Sequence, residues 1–287
     1  MSVNEMIEAC VTQIKAEGWC LVSGVVPEDR VGEIRDHVEE GHKRALKYYE
    51  DLGGSLPFQS GPGDVPDRNA VSFVPELAAY FGDERVVGVA KGILDPHHIR
   101  ISQTEFKTRP PGGKNVDHRG WHSDFPHDLT DREQAGVFMM PFPNVTAGIT
   151  ALWMLSDFSS VNGGTWVVPR SHLDVRNPRS HLDPRNPPEL YDDIPTKESI
   201  SGEIQLEGKA GSVLMLDSRI WHSTGNNPSD KSRVTILTRY SPWWLNLEFG
   251  GRNRARVPRE IFEGFPEGVR DLYRHRVEGE GNPIKRW

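Results

Sequence analysis

Apolar residues in the first hundred positions recur with the period of a helix. Met6, Ile7, Cys10, Val11 and Ile14 fall on one face, which predicts an amphipathic helix over Val3–Glu17. Trp19–Val26 is a short apolar stretch that reads as a strand. Pro27-Glu28-Asp29 then opens a second helix through about Tyr49, with acidic residues where the helix dipole favours them. Gly53–Arg68 is a breaker-rich loop, and shorter helices follow near Pro75–Phe81 and Glu84–Leu94. After Pro96 the pattern changes. Ile99–Lys107, Gly148–Leu155, Thr165–Val168, Ile204–Leu206, Ser212–Asp217 and Val234–Tyr240 are short, β-branched or aromatic, and bounded by Gly, Pro, Asn or Asp. They predict strands. Strands clustered with no regular helix between them favour an antiparallel sandwich or barrel over a parallel βαβ sheet. The expected organisation is one domain over 1–287, mainly β with flanking α-helices. Within it, 1–97 is mainly helical support, 98–241 the β core and 242–287 a C-terminal extension.

Composition narrows the class of function. Lys+Arg total 34 against 41 Asp+Glu, a formal net charge of −7. An acidic balance disfavours nucleic acid and anionic membranes, whose phosphates attract basic stretches. At 36% hydrophobic and 26% charged, the chain is too apolar for disorder and too polar for a membrane protein. The opening MSVNEMIEACVTQIKAEGW lacks a basic region followed by an apolar core, so no secretory signal is expected. Cys10 and Cys20 are too few for a disulfide framework and suit reduced thiols in the cytoplasm. The expectation is a cytoplasmic enzyme, with a small-molecule binding protein as the alternative and the oligomeric state, monomer or homodimer, left open.

Three His-x-Asp triplets carry candidate chemistry: His122-Ser123-Asp124, His172-Leu173-Asp174 and His181-Leu182-Asp183. On an extended backbone residues i and i+2 point to the same side, so an imidazole and a carboxylate can share one ion. A second histidine from a distant strand completes a two-His-one-carboxylate facial triad, which leaves positions open on Fe(II). Context separates the three. His122 follows a strand and a Gly/Pro loop and lies in Trp121-His122-Ser123-Asp124-Phe125, between aromatics. The other two fall in a tandem duplication, Ser171–Arg179 repeated as Ser180–Pro188, which reads equally as a surface insertion or as a lid. The distal partner is His222, just past the strand Ser212–Asp217. Arg233 follows at the opening of the next strand, where a guanidinium can grip a carboxylate bidentately.

These residues resemble the phytanoyl-CoA dioxygenase-like family of Fe(II)/2-oxoglutarate-dependent oxygenases. Four stretches match in order: FKTRPPGG, WHSDF, the segment from Asn162-Gly163-Gly164-Thr165 to Pro169-Arg170-Ser171-His172, and His222 through Arg233. Together they cover about half the chain, roughly Ile99–Tyr240. The resemblance implies a double-stranded β-helix, a cupin-like jelly roll. It implies Fe(II) held by His122, Asp124 and His222, with 2-oxoglutarate as co-substrate and O2 as oxidant. It places Arg233 on the distal carboxylate of 2-oxoglutarate and Thr224 beside it, with Gln103 and Lys107 as further polar co-substrate contacts. His172 falls in the family's Pro-Gly-Ser-His turn, a structural element, with Arg170 standing where the family carries glycine. The presence of Asp124 implies hydroxylation, desaturation or ring formation over halogenation. Phe125 and Trp153 are candidates for the substrate pocket. The rival readings are a non-catalytic jelly-roll binding protein and a cupin-like metal-dependent isomerase or hydrolase. Arg233 counts against the latter, which needs no clamp for 2-oxoglutarate.

Overall fold

A computed structural model describes residues 1–51, 70–113, 120–124, 145–174, 198–245 and 256–278. The first helix, α1 (Val3–Glu17), is closed at both ends by its own sequence. The Ser2 hydroxyl accepts from the Glu5 amide while the Glu5 carboxylate accepts from the Ser2 amide. At the other end Gly18 takes the left-handed conformation, φ 87°, and donates to the Ile14 carbonyl. The chain passes directly into β1 (Trp19–Val22) and then α2 (Glu28–Asp51), whose Val31, Ile34, Val38 and Ala45 are buried. Two shorter helices, α3 (Ala78–Phe81) and α4 (Glu84–Ile93), complete the N-terminal layer, and the Asp83 carboxylate caps α4 through the Arg85 and Val86 amides.

Six further strands follow in the central part: β2 (Ile99–Phe106), β3 (Ile149–Met154), β4 (Trp166–Val167), β5 (Ile204–Gln205), β6 (Val213–Asp217) and β7 (His222–Ser223). A last strand, β8 (Thr235–Pro242), precedes two C-terminal helices, α5 (Arg259–Glu263) and α6 (Glu267–Tyr273). The strands form a five-stranded sheet, in the order β1-β6-β3-β8-β2, and a three-stranded sheet, β5-β4-β7. Every pairing between them is antiparallel. The architecture is the expected double-stranded β-helix, with the helices outside the larger sheet.

The central strands of the larger sheet, β6, β3 and β8, bury both faces, so their side chains sort by parity rather than by polarity. Leu152, Met154, Leu214, Leu216 and Leu237 point inward and cluster with Val167 of the smaller sheet and with Leu206, which directly follows β5. Their neighbours Ala151, Trp153, Val213, Met215, Ile236 and Tyr240 point outward and form one core with the helices. In β2 this parity is broken once. Ile101 pairs with Tyr240 and Gln103 with Arg239, so Ser102 is the extra residue of a β-bulge. Ile101 therefore faces the helices while Gln103, Glu105 and Lys107 are turned inward. An Arg276 guanidinium holds the Ser102 carbonyl on the free edge of this strand.

Some expectations from sequence differ from what is observed. The strand read over Trp19–Val26 stops at Val22. β7 is longer-range in origin: His222 and Ser223 become a strand by pairing with Val167 and Trp166. The two C-terminal helices each begin directly after a proline, Pro258 and Pro266. The loop read over Gly53–Arg68 lies outside the described residues, as does most of the duplicated segment, and Ser171–Leu173 within it forms a single 3-10 turn.

Candidate metal centre

Two of the candidate ligands are brought together by direct backbone pairing across an isolated bridge. His122 and His222 form an antiparallel bridge, each backbone amide donating to the other's carbonyl at 3.1 and 2.9 Å. Paired residues share a face, and the two imidazoles stand with ring centroids 4.3 Å apart. Asp124 joins them two residues beyond His122, its Oδ1 lying 3.8 Å from His222 Nε2. One ligand atom from each of His122, Asp124 and His222 lies within 4.8 Å of the other two.

The tautomers are set by the backbone. His122 Nδ1 lies 2.8 Å from the Gly120 carbonyl and His222 Nδ1 lies 2.9 Å from the Ile220 carbonyl. A carbonyl only accepts, so each Nδ1 carries the proton and each Nε2 presents its lone pair. Burial, reinforced by the neighbouring His222, pushes His122 down to about 4, so its ring is neutral near pH 7. At Asp124 burial alone would raise the carboxyl. Arg239, the two histidines and the Thr150 hydroxyl together outweigh it and hold the group well below the usual carboxylate range. Two imidazoles and one ionised carboxylate, aimed at a common point, are a fitting donor set for Fe(II).

Residues behind the ligands are held by close backbone approach. A Cβ on Gly163 would lie 2.1 Å from the Asn226 carbonyl oxygen, and one on Gly225 would lie 2.5 Å from that of Gly164. The Asn162-Gly163-Gly164-Thr165 stretch is thus packed backbone to backbone against the chain leaving His222.

The other sequence candidates divide. Arg233 is 3% exposed, bridges backbone to backbone with Arg109, and carries its guanidinium 4.6 Å from the centroid of the Phe158 ring. It sits in phase with Leu237 and Arg239, on the inner face. Gln103 and Lys107 also face inward, and both engage Glu105: Gln103 by a hydrogen bond and Lys107 by an ion pair at 2.9 Å. Thr224 follows β7 and is exposed. Phe125 lies outside the described residues, as do His181 and Asp183. His172 is buried away from the triad, its Nε2 3.2 Å from the Lys15 carbonyl, so it ties the turn to the end of α1. Trp153 departs from expectation. It points to the helices, with Phe81 at 5.0 Å between ring centroids and its indole N–H donating to Thr238 Oγ1 at 2.9 Å. Thr150 faces the metal ligands, so a residue three positions along the same strand faces away.

Two inward residues were not singled out from sequence: Glu105, between Gln103 and Lys107, and Arg239, whose Nη2 lies 2.9 Å from Asp124 Oδ2. The period of two within the strands already predicted would have found both.

Comparison with known proteins agrees with this geometry. A curated relative, "Dioxygenase af480" of Aspergillus fumigatus, is 24% identical over 278 residues, covering 95% of this chain and 77% of the relative. Among solved structures, the non-heme alpha ketoglutarate dependent carbocyclase SnoK from nogalamycin biosynthesis shares the fold. Its TM-score is 0.58 at 20% identity, with 84% of this chain and 86% of that chain covered. EctD from S. alaskensis, solved with 2-oxoglutarate and 5-hydroxyectoine, shares it at TM-score 0.52 and 18% identity, covering 84% of this chain and 76% of that one. The family model Phytanoyl-CoA dioxygenase (PhyH) matches residues 14–235. The chain belongs to the phytanoyl-CoA dioxygenase family and is an Fe(II)- and 2-oxoglutarate-dependent oxygenase.

Proposed function

We propose that this oxygenase hydroxylates an unactivated C–H bond of a small metabolite, with His122, Asp124 and His222 as the iron ligands and Arg233 as the anchor for 2-oxoglutarate. The observation that carries the reading is the convergence of two Nε2 lone pairs and one carboxylate oxygen within 4.8 Å, each ring fixed by its own backbone carbonyl. When bound, iron, 2-oxoglutarate and O2 supply the oxidising power, with succinate and CO2 released. The protein's own part is to bind and orient. His122, Asp124 and His222 would hold the ion through three protein ligands and leave its remaining positions for co-substrate and oxygen. Arg233, buried on the inner face, suits the distal carboxylate, since a desolvated guanidinium pairs strongly with one. Lys107 and Gln103, braced by Glu105, supply donors on the neighbouring strand. Thr224 completes the co-substrate set from the segment after His222. Phe125, directly after Asp124, would wall the substrate side. The reading takes 1–287 as one catalytic domain. No described helix is long and apolar enough to cross a membrane, and the free, buried Cys10 and Cys20 suit the reducing cytoplasm.

The test is an anaerobic titration of the Fe(II)-loaded protein with 2-oxoglutarate, followed by the visible charge-transfer band. The expected result is a band that saturates, is lost in Asp124→Ala, and requires much higher 2-oxoglutarate in Arg233→Ala. His172→Ala keeps the band. Iron binding without any band would overturn the proposal.

A further inference from the structure

Asp124 stands two residues past the isolated His122–His222 bridge, yet one of its oxygens is held from the larger sheet. Thr150 Oγ1 donates to Asp124 Oδ2 at 2.6 Å, and Arg239 Nη2 lies 2.9 Å from the same oxygen. Arg239 Nε in turn donates to Thr150 Oγ1 at 3.4 Å, which leaves the hydroxyl proton free to point at the carboxylate. Thr150 and Arg239 are directly paired in the ladder between β3 and β8, and are 1% and 5% exposed. The donors are therefore fixed by the sheet itself and poorly screened by solvent.

We propose that Arg239 and Thr150 are positioning residues that occupy Oδ2 and so reserve Oδ1 alone for the metal. The inference rests on the ligand assignment above and extends it. A carboxylate held in this way ligates through one oxygen. Had it been free to rotate and chelate, it would take a second coordination position, one of those that 2-oxoglutarate and O2 require. Removing the Asp124 side chain should leave a built pocket for a small carboxylate, with a cation and a hydroxyl aimed into it.

That pocket can be tested without turnover. Co(II) is added to the apo-proteins, and the visible spectrum and Co(II) affinity are read with and without sodium formate, folding being checked by far-UV circular dichroism. In Asp124→Gly, formate is expected to tighten Co(II) binding about tenfold, the scale on which residues behind a ligand act, and to move the spectrum toward that of the wild type. In Asp124→Gly/Arg239→Met the formate effect is expected to vanish. Should the double variant fail to fold, Asp124→Gly/Thr150→Val is read in its place and should show a weakened effect. Formate acting equally with and without Arg239, or having no effect in Asp124→Gly, overturns the clamp while leaving the ligand assignment intact. A wild-type protein that binds no Co(II) overturns the ligand assignment and the clamp with it.

Discussion

Trp153 gives the sharpest check on how the barrel is divided between chemistry and support. It is fully buried, tilted against the Phe81 ring and hydrogen-bonded to Thr238 on the helix side of the larger sheet. Trp153→Ala removes most of a large side chain from a close-packed core, a change that costs about 3–5 kcal/mol. At this chain length each kcal/mol lowers Tm by roughly 2–4 °C, so a drop of roughly 6–20 °C is expected. Trp153→Phe keeps an aromatic ring against Phe81 but leaves the Thr238 hydroxyl without its indole donor, at a cost of about 1–3 kcal/mol. Urea unfolding and thermal melting of both variants measure these losses. The 2-oxoglutarate band of Trp153→Phe should match the wild type, because the side chain lies on the far side of the sheet. The reasoning is refuted if Trp153→Phe keeps stability within about 0.5 kcal/mol while shifting the co-substrate titration or the KM for substrate.

Other perturbations test neighbouring parts of the argument. Gly225→Ala should both lower Tm and weaken Fe(II) binding by roughly tenfold, since its Cβ would lie 2.5 Å from the Gly164 carbonyl oxygen and displace the chain that carries His222; unchanged iron affinity would sever that link. Arg170 has φ 69° in the position where the resemblance expects glycine. A left-handed conformation costs an L-residue about 1–2 kcal/mol, partly offset by glycine's extra freedom in the unfolded chain, so Arg170→Gly should raise stability in urea unfolding. Burial, with Arg276, Arg100 and Arg256 nearby, pushes His275 down to about 3, and His122 is pushed down to about 4. The unfolded chain protonates both near 6.5 and so binds more protons than the folded apo-protein below that pH. Their stability contribution is complete above pH 6.5 and is lost on acidification, by about 1.4 kcal/mol per pH unit for each group. Replacing His275 with Gln should shallow that slope, as read from urea midpoints across the pH range.

The elements that sequence disclosed are those with long or self-contained signals. The helix Val3–Glu17 has an apolar face, a capping serine and a terminal glycine, and it appears with those bounds. The His122-Ser123-Asp124 triplet and His222 converge because His122 and His222 pair backbone to backbone. β7 itself left no trace, since two residues cannot display a period and its strand character comes from Val167 and Trp166. Trp153 was assigned to the wrong face for a related reason. Apolar residues occupy both sides of β3, so hydrophobicity could not say which parity meets the ligands, and only the bond from Thr150 to Asp124 decides it. Arg239 was legible in principle, lying in phase with Arg233 on a predicted strand.

The bulge at Ser102 has a consequence for how β2 is read. Up to Ile101 the strand is written in one frame and from Gln103 onward in the other, with a single residue as the shift. Deleting Ser102 would merge the frames and leave every side chain on its present face, because Ile101 and Gln103 already pair with the adjacent Tyr240 and Arg239. A strand of the same length without the bulge would instead turn Gln103, Glu105 and Lys107 to the helices and bring Thr104 and Phe106, which now meet Tyr273 and His42 on the outer side, into the barrel. Aligning relatives across this strand by residue count alone therefore swaps interior for exterior whenever the bulge is missing. Grafting the strand into another barrel would require Arg276 to travel with it, because that side chain holds the carbonyl at the point of the shift.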